Sequence, residues 1–142
     1  MSSENLDLVR SIFAAFEQGD FTRAHEWAHP DIEYVVVDGP SPGSWMGLAG
    51  VAEGSYNFLR TGENVRLEAD EYRELDDERV LVLTLVRGRG KASGLDVGQL
   101  RTRVAQLFHV RGGKVTRLVV WIDGERALAD LGFAPEDDAA RS

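Results

Sequence analysis

His25 and His29 stand four residues apart, the spacing at which two imidazoles share a helix face and could grip a metal ion. Pro30 follows at once and cuts that helix short. The chain has no cysteine, so a zinc site would have to come from histidine and carboxylate alone. No further ligand pattern joins the pair. The expectation is therefore no metal and no other cofactor, with both histidines as surface groups. Disulfide and thiolate chemistry are excluded outright. What remains is acid–base chemistry and hydrogen bonding. Tyr34, Val36 and Asp38 alternate along one apolar run, so in a regular strand they point to the same face. Asp38 is the candidate acid or base. The competing reading makes Asp38-Gly39-Pro40 a turn whose carboxylate caps backbone amides. Tyr34 has two readings as well: a hydroxyl sent into an interior, or a half-buried ring with a wet tip.

The formal net charge of −8 argues against a phosphate-backbone partner and for a soluble, self-repelling surface. The richest basic cluster, Arg87-Gly88-Arg89-Gly90-Lys91, is short and lacks interleaved aromatics, so it reads as a solvated hairpin end. No segment approaches the roughly 18 apolar residues of a membrane span. The stretch MSSENLDLVR is too polar for a signal peptide, so a cytoplasmic protein is expected. The length of 142 residues suits one domain, taken as 1–134, with residues 135–142 a disordered tail.

Leu6, Val9, Ile12, Phe13 and Phe16 recur at helical spacing behind Ser2 or Ser3 as cap. Gly19 stops that helix. Asp20 is then read as the cap of a short second helix carrying Phe21, Ala24, Trp27 and Ala28. Ile32–Val37 predicts a strand and Asp38–Gly43 a turn-rich loop. Gly47–Arg60 predicts a helix, in which Gly50 and Gly54 permit close packing. From Val65 the period changes to two. Val80–Val86 is a strand apolar on both faces. A glycine-rich link follows, and then a long hairpin, Val97–Arg111 and Lys114–Ile122, turns at Gly112-Gly113. Glu125–Leu131 closes the chain as a short helix capped by Asp123. The predicted order is α-α-β-α-β-β-β-β-α.

An antiparallel sheet normally buries one face, yet Val80–Val86 and Leu118–Ile122 are apolar on both. Helices can cover one side. The other lacks an obvious cover from this chain, so a homodimer through the outer sheet face is expected, against the alternative of a few exposed apolar residues.

The two-helix start ending in Gln18-Gly19-Asp20 resembles the nuclear transport factor 2-like superfamily. Asp31-Ile32-Glu33-Tyr34, Trp45-x-Gly47-x-x-Gly50, Gly88–Gly94, Gly113-Lys114-Val115, and Asp123 with Ala127-Leu128 and Leu131-Gly132 resemble its SnoaL-like branch, which includes polyketide cyclases. The resemblance spans about residues 3–134. It implies a cone-shaped α+β barrel: a curved mixed or antiparallel sheet wrapped around the N-terminal helices and enclosing a pocket. The family hosts isomerases, cyclases, epoxide hydrolases, dehydratases and non-catalytic binders, so the fold alone does not assign an activity.

The acid–base positions that the resemblance implies fall on Ile12, Val36, Gln106 and Val120. None is ionisable, although Gln106 can still donate a hydrogen bond. The implied pocket is lined by Ile12, Tyr34, Val36, Trp45, Tyr56, Gln106, Phe108, Leu118 and Val120. Trp45 and Tyr56 would either stack on a flat ligand or pack the helix near the mouth. Strand alternation then sends Leu107, His109, Val119 and Trp121 to the outer, dimerising face. The expected partner is a small hydrophobic molecule, besides a second copy of the chain. Two functions stay open: cofactor-free isomerase, cyclase or hydratase chemistry with Asp38 as acid or base, and a non-catalytic ligand-binding or assembly module.

Overall fold

Val9, Ile12, Phe13 and Phe16 put four buried side chains on one stripe of α1 (Ser2–Glu17), which lies over the sheet strands Gly62–Glu74 and Arg79–Gly90. The structure, a computed structural model, describes residues 2–39, 42–59, 62–90 and 102–133. After α1 come α2 (Ala24–Trp27), β1 (Ala28–Val36), β2 (Gly43–Met46), α3 (Gly47–Leu59), β3 (Gly62–Glu74), β4 (Arg79–Gly90), β5 (Thr102–Arg111), β6 (Lys114–Trp121) and α4 (Gly124–Asp130). The glycine-rich link from residue 91, the first residues of the expected hairpin and the expected tail 135–142 lie outside the described residues.

The six strands form one sheet in the order β2-β1-β6-β5-β4-β3. All neighbours are antiparallel except β1 and β6, which are parallel because the whole of β3–β5 intervenes between them. The sheet is thus mixed and open. Among the described residues its end strands β2 and β3 do not pair with each other, and the mixed sheet with helices on one face is the α+β architecture expected. The hairpin at Gly112-Gly113 is as expected: both residues have positive φ, 61° and 78°, which a two-residue turn between twisted strands requires.

Three local expectations are corrected. Gly43, read as the end of a loop, opens an edge strand, Gly43–Met46, that pairs Glu33 with Met46 and Val36 with Gly43. Asp20 does not cap α2, whose N-cap is Arg23. Its carboxylate instead accepts from the Thr22 amide at 3.0 Å, the Thr22 hydroxyl at 2.7 Å and Arg23 Nε at 2.8 Å, an Asx-type turn. Those bonds hold its pKa down at about 2. Ala28, expected on α2, opens β1.

Strand alternation divides the core in two. Ile32, Tyr34, Val36, Val80, Val82, Val86, Val104, Phe108, Val110, Val115, Leu118 and Val120 face α1, α2 and α3 in one cluster. Irregular registers keep the parity useful: the shift between Ala69 and Glu71 in β3 lets Leu67, Ala69 and Tyr72 all join this cluster. On the far face Leu81, Leu83, Ala105, Leu107, Val119 and Trp121 form a second cluster with Ala127 and Leu128 of α4. Trp121 Nε1 donates to Asp130 Oδ2 at 3.0 Å and pins that helix to the sheet. Asp123 caps it, accepting from the amides of Glu125 and Arg126 at 3.0 and 3.3 Å. The premise that this chain has nothing with which to cover the outer face is therefore corrected. Leu107, Val119 and Trp121 are buried within a single chain.

Candidate functional site

The inner face is read in rows across the sheet. Val36 of β1 stands beside Val120 of β6, which faces Gln106 of β5, which faces Val82 of β4. One row along, Tyr34 stands beside Leu118, which faces Phe108, which faces Val80. On the other side Val104 faces Thr84. Eight of the nine residues expected to line a pocket lie on this face or against it: Ile12, Tyr34, Val36, Trp45, Gln106, Phe108, Leu118 and Val120. Tyr56 does not. It is 61% exposed on the outer side of α3, whose buried residues among those described are Gly50, Val51 and Gly54.

Glycine at those positions lets α3 approach closely. A Cβ on Gly54 would stand 2.6 Å from Tyr34 Cδ2 and 2.9 Å from Trp45 Cε3. Tyr34 and Trp45 meet with ring centroids 5.9 Å apart. Trp45 is half-buried, packed against the inner cluster from the edge strand. Phe108, fully buried, is met edge-on by Phe13 at 5.9 Å and Trp27 at 6.4 Å.

Among the described residues, the buried polar side chains are Gln106, 5% exposed, and Thr84, 0% exposed. Both project from the inner face. Thr84 Oγ1 lies 3.2 Å from Gln106 Oε1 and 3.2 Å from the Val82 carbonyl oxygen, so one hydroxyl proton faces two acceptors. The Gln106 amide nitrogen and the Tyr34 hydroxyl have no hydrogen-bond partner among the described residues. Sequence reasoning missed Thr84. It is the one hydroxyl in the run Val80–Val86, and its parity with Val82 and Val86 was the signal that it points inward.

Burial pushes the Tyr34 phenol up to about 12. Its folded pKa then exceeds the unfolded value near 10, so the folded state holds the proton more tightly. The stability this contributes is complete below about pH 10 and is lost as pH rises towards 12. Urea unfolding between pH 9 and 11.5 is expected to show a fall on the order of 2 kcal/mol that Tyr34→Phe removes. An equal fall in the variant would rule Tyr34 out as its source.

Asp38 accepts from the Ile122 amide at 2.6 Å and the Asp123 amide at 3.3 Å. It thereby ties the end of β1 to the end of β6, where Val37 already donates to the Val120 carbonyl at 2.9 Å. Its carboxylate is half-exposed and engaged with backbone.

On the outer face, His109 is half-buried between Arg79 and Arg117 in the strand register. Burial, then the charges of Arg117 and Arg79, holds its imidazole below the usual histidine range, and its buried Nε2 has no partner. His25 is exposed, and His29 Nδ1 accepts from the Asp31 amide at 2.9 Å. No group of three or more His, Asp or Glu among the described residues is placed to hold a metal ion. No described helix is long and apolar enough to cross a membrane.

A mixed six-stranded sheet with three helices on its inner face is the nuclear transport factor 2-like class of α+β fold. Residues 9–118 match the SnoaL-like domain family, and the chain belongs to it. It is 35% identical over 120 residues to uncharacterized proteins of Mycobacterium tuberculosis and Mycobacterium bovis, covering 80% of this chain and 85% of each relative. Among solved structures, an NTF2-like protein of unknown function from Burkholderia pseudomallei superposes with a TM-score of 0.71 at 20% identity, covering 89% of this chain and 95% of the other. TerC, co-crystallized with polyporic acid, gives 0.68 at 23%, covering 90% and 97%. A protein with ketosteroid isomerase-like fold from Catenulispora acidiphila, in complex with trimethylamine, gives 0.64 at 17%, covering 89% and 93%. At these identities the structures share the fold.

Proposed function

We infer that this protein binds a small, uncharged, largely apolar molecule against the inner sheet face, with Gln106 and Tyr34 as its polar anchors. The observation that carries this reading is a pair of hydrogen-bonding groups, on two buried side chains of an otherwise apolar surface, that have no partner among the described residues. Neither the Gln106 amide nitrogen nor the Tyr34 hydroxyl is among the fully buried unpartnered atoms, so each is open to a ligand that pairs it. Binding sites for small molecules have this composition: an apolar lining and a few placed polar groups. The co-crystallization of TerC, which shares the fold, with an organic acid is in keeping with a ligand-holding interior. The test is denaturing extraction of freshly purified protein, read by mass spectrometry, with calorimetric titration of the emptied protein by indanone. A released or saturably bound apolar molecule, lost on Gln106→Leu, is the expected result. No released organic molecule and no saturable binding would refute the reading.

The alternative is isomerase, cyclase or hydratase chemistry with Asp38 as acid or base. What speaks for simple binding is that Asp38 already serves two backbone amides and that no carboxylate is buried among the described residues. Asp38→Ala is expected to cost about 1–3 kcal/mol in urea unfolding, because two amides lose a charged acceptor. Asp38→Asn keeps one acceptor oxygen and costs less. Ligand affinity stays within about twofold in Asp38→Asn on the binding reading. A turnover abolished by that variant would establish the catalytic one.

Self-association is a separate proposal. With Leu107, Val119 and Trp121 in the cluster under α4, the expected dimer-face residue left partly exposed is His109. A solution mass of one chain at working concentration would dismiss it.

A further inference from the structure

We propose that Thr84 is the positioning residue of this site: its hydroxyl holds the Gln106 amide so that the nitrogen, rather than the oxygen, is offered to a ligand. The proposal rests on the ligand-binding reading above and adds the residue that sets its selectivity.

A glutamine amide has two ends of nearly equal shape and opposite hydrogen-bonding sense. On an apolar wall nothing but a neighbouring polar group can choose between them. Gln106 is flanked across the strands by Val82 and Val120, which offer no side-chain polar atom. Among the described residues, the one polar side chain bonded to it is Thr84, whose Oγ1 is 3.2 Å from Gln106 Oε1. A hydroxyl proton directed at Oε1 fixes that oxygen toward β4 and leaves both N–H groups of Nε2 without a partner among the described residues. The Tyr34 hydroxyl, kept protonated by burial, is a second donor on the same face with no partner among the described residues. The site therefore presents donors and no charge, and it favours a hydrogen-bond acceptor such as a ketone or quinone oxygen.

The Thr84 proton has a competing acceptor. The Val82 carbonyl is also 3.2 Å from Oγ1. Were the proton given to that carbonyl, Oγ1 could accept from a turned-over Gln106, and the amide oxygen would face the ligand instead. The two arrangements predict opposite preferences. That makes the orientation measurable without knowing the natural ligand.

The experiment uses three probes of one size: indanone, an acceptor; indanol, a donor as well as an acceptor; and indane, with neither. Each is titrated calorimetrically into the full chain and its variants. The wild type is expected to bind indanone more tightly than indane. Thr84→Val, which keeps the shape and removes the hydroxyl, lowers the indanone-to-indane affinity ratio about fivefold, the worth of one net hydrogen bond. Indane affinity does not change, and Thr84→Ser restores the ratio. Thr84→Ala gives the same loss without adding bulk, should valine disturb the fold. A merely structural threonine would change melting temperature and leave the ratio alone. An unchanged ratio in Thr84→Val, together with a collapsed ratio in Gln106→Leu, overturns the role of Thr84 and keeps the anchor. A wild type that prefers indanol to indanone, with the preference lost in Thr84→Val, overturns the orientation. If no probe binds, or Gln106→Leu also leaves the ratio unchanged, the ligand-binding reading falls and this proposal with it.

Discussion

Phe108→Ala is expected to lower the free energy of unfolding by about 3–5 kcal/mol, the usual cost of deleting a fully buried ring. Phe108 is 0% exposed and touches three parts of the molecule at once. Phe13 brings α1 to it and Trp27 brings α2, both edge-on. Val80 and Leu118 flank it in the sheet. Removing the ring takes away its apolar burial, two edge-to-face contacts and the surface on which two helices seat. The neighbours cannot close the gap easily, because Phe13 is also held by Phe16 at 5.2 Å and Tyr72 at 6.2 Å. A urea titration should show the midpoint fall with little change in slope. A loss below about 1 kcal/mol would mean that the helices hold to the sheet by other contacts. Phe108→Leu, which refills part of the volume, should recover at least half of the loss.

That two-sided anchoring could be read from the hairpin in advance. In a strand the period of two assigns faces without ambiguity once one residue is placed. Placing Gln106 inward sends Val104, Phe108 and Val110 with it and Leu107 outward, and the packing divides them so. The order of elements was legible for a similar reason, since helical and strand periods are local signals. The misreadings have non-local causes. Gly43–Met46 holds four residues, two of them glycine and serine, and becomes a strand through its pairing with Glu33–Val36. The short helix α4 contributes only Ala127 and Leu128 to the outer cluster. Its weight as a cover comes from a tertiary bond, Trp121 to Asp130, that no periodicity encodes. Tyr56, expected at the pocket, is 61% exposed, whereas Gly50, Val51 and Gly54 of the same helix are buried. At the site, Gln106 was found by resemblance, whereas its partner Thr84 lies 22 residues away in sequence and becomes meaningful only through the β4–β5 register.

The glycine face of α3 leads to the second large effect. Gly54→Val is expected to destabilize the protein by about 3 kcal/mol, at the upper end of ordinary overpacking. The first carbon of any side chain at this position would lie 2.6 and 2.7 Å from two atoms of the Tyr34 ring and 2.9 Å from the Trp45 ring. The Tyr34 ring has little room to retreat. Tyr34 is buried against Trp45, and Trp45 is itself backed by Gly50, where an added Cβ would stand 2.9 Å from Trp45 Cβ. Helix propensity works the other way. Replacing glycine by alanine in a helix gains up to about 1 kcal/mol, so Gly54→Ala should lose much less than Gly54→Val. Valine forfeits part of that gain and adds two methyl groups where there is no space. The double-mutant cycle separates the contact from the helix effect. Tyr34→Ala removes the obstructing ring, so Gly54→Val in that background should cost at least about 1 kcal/mol less than in the wild type. Strict additivity of the two substitutions would show that the Tyr34 ring is not what keeps this position glycine. The same crowding bears on binding. If α3 is pushed off β1, Tyr34 loses its seat, and the preference for indanone over indane should shrink in Gly54→Ala even where its stability is close to that of the wild type.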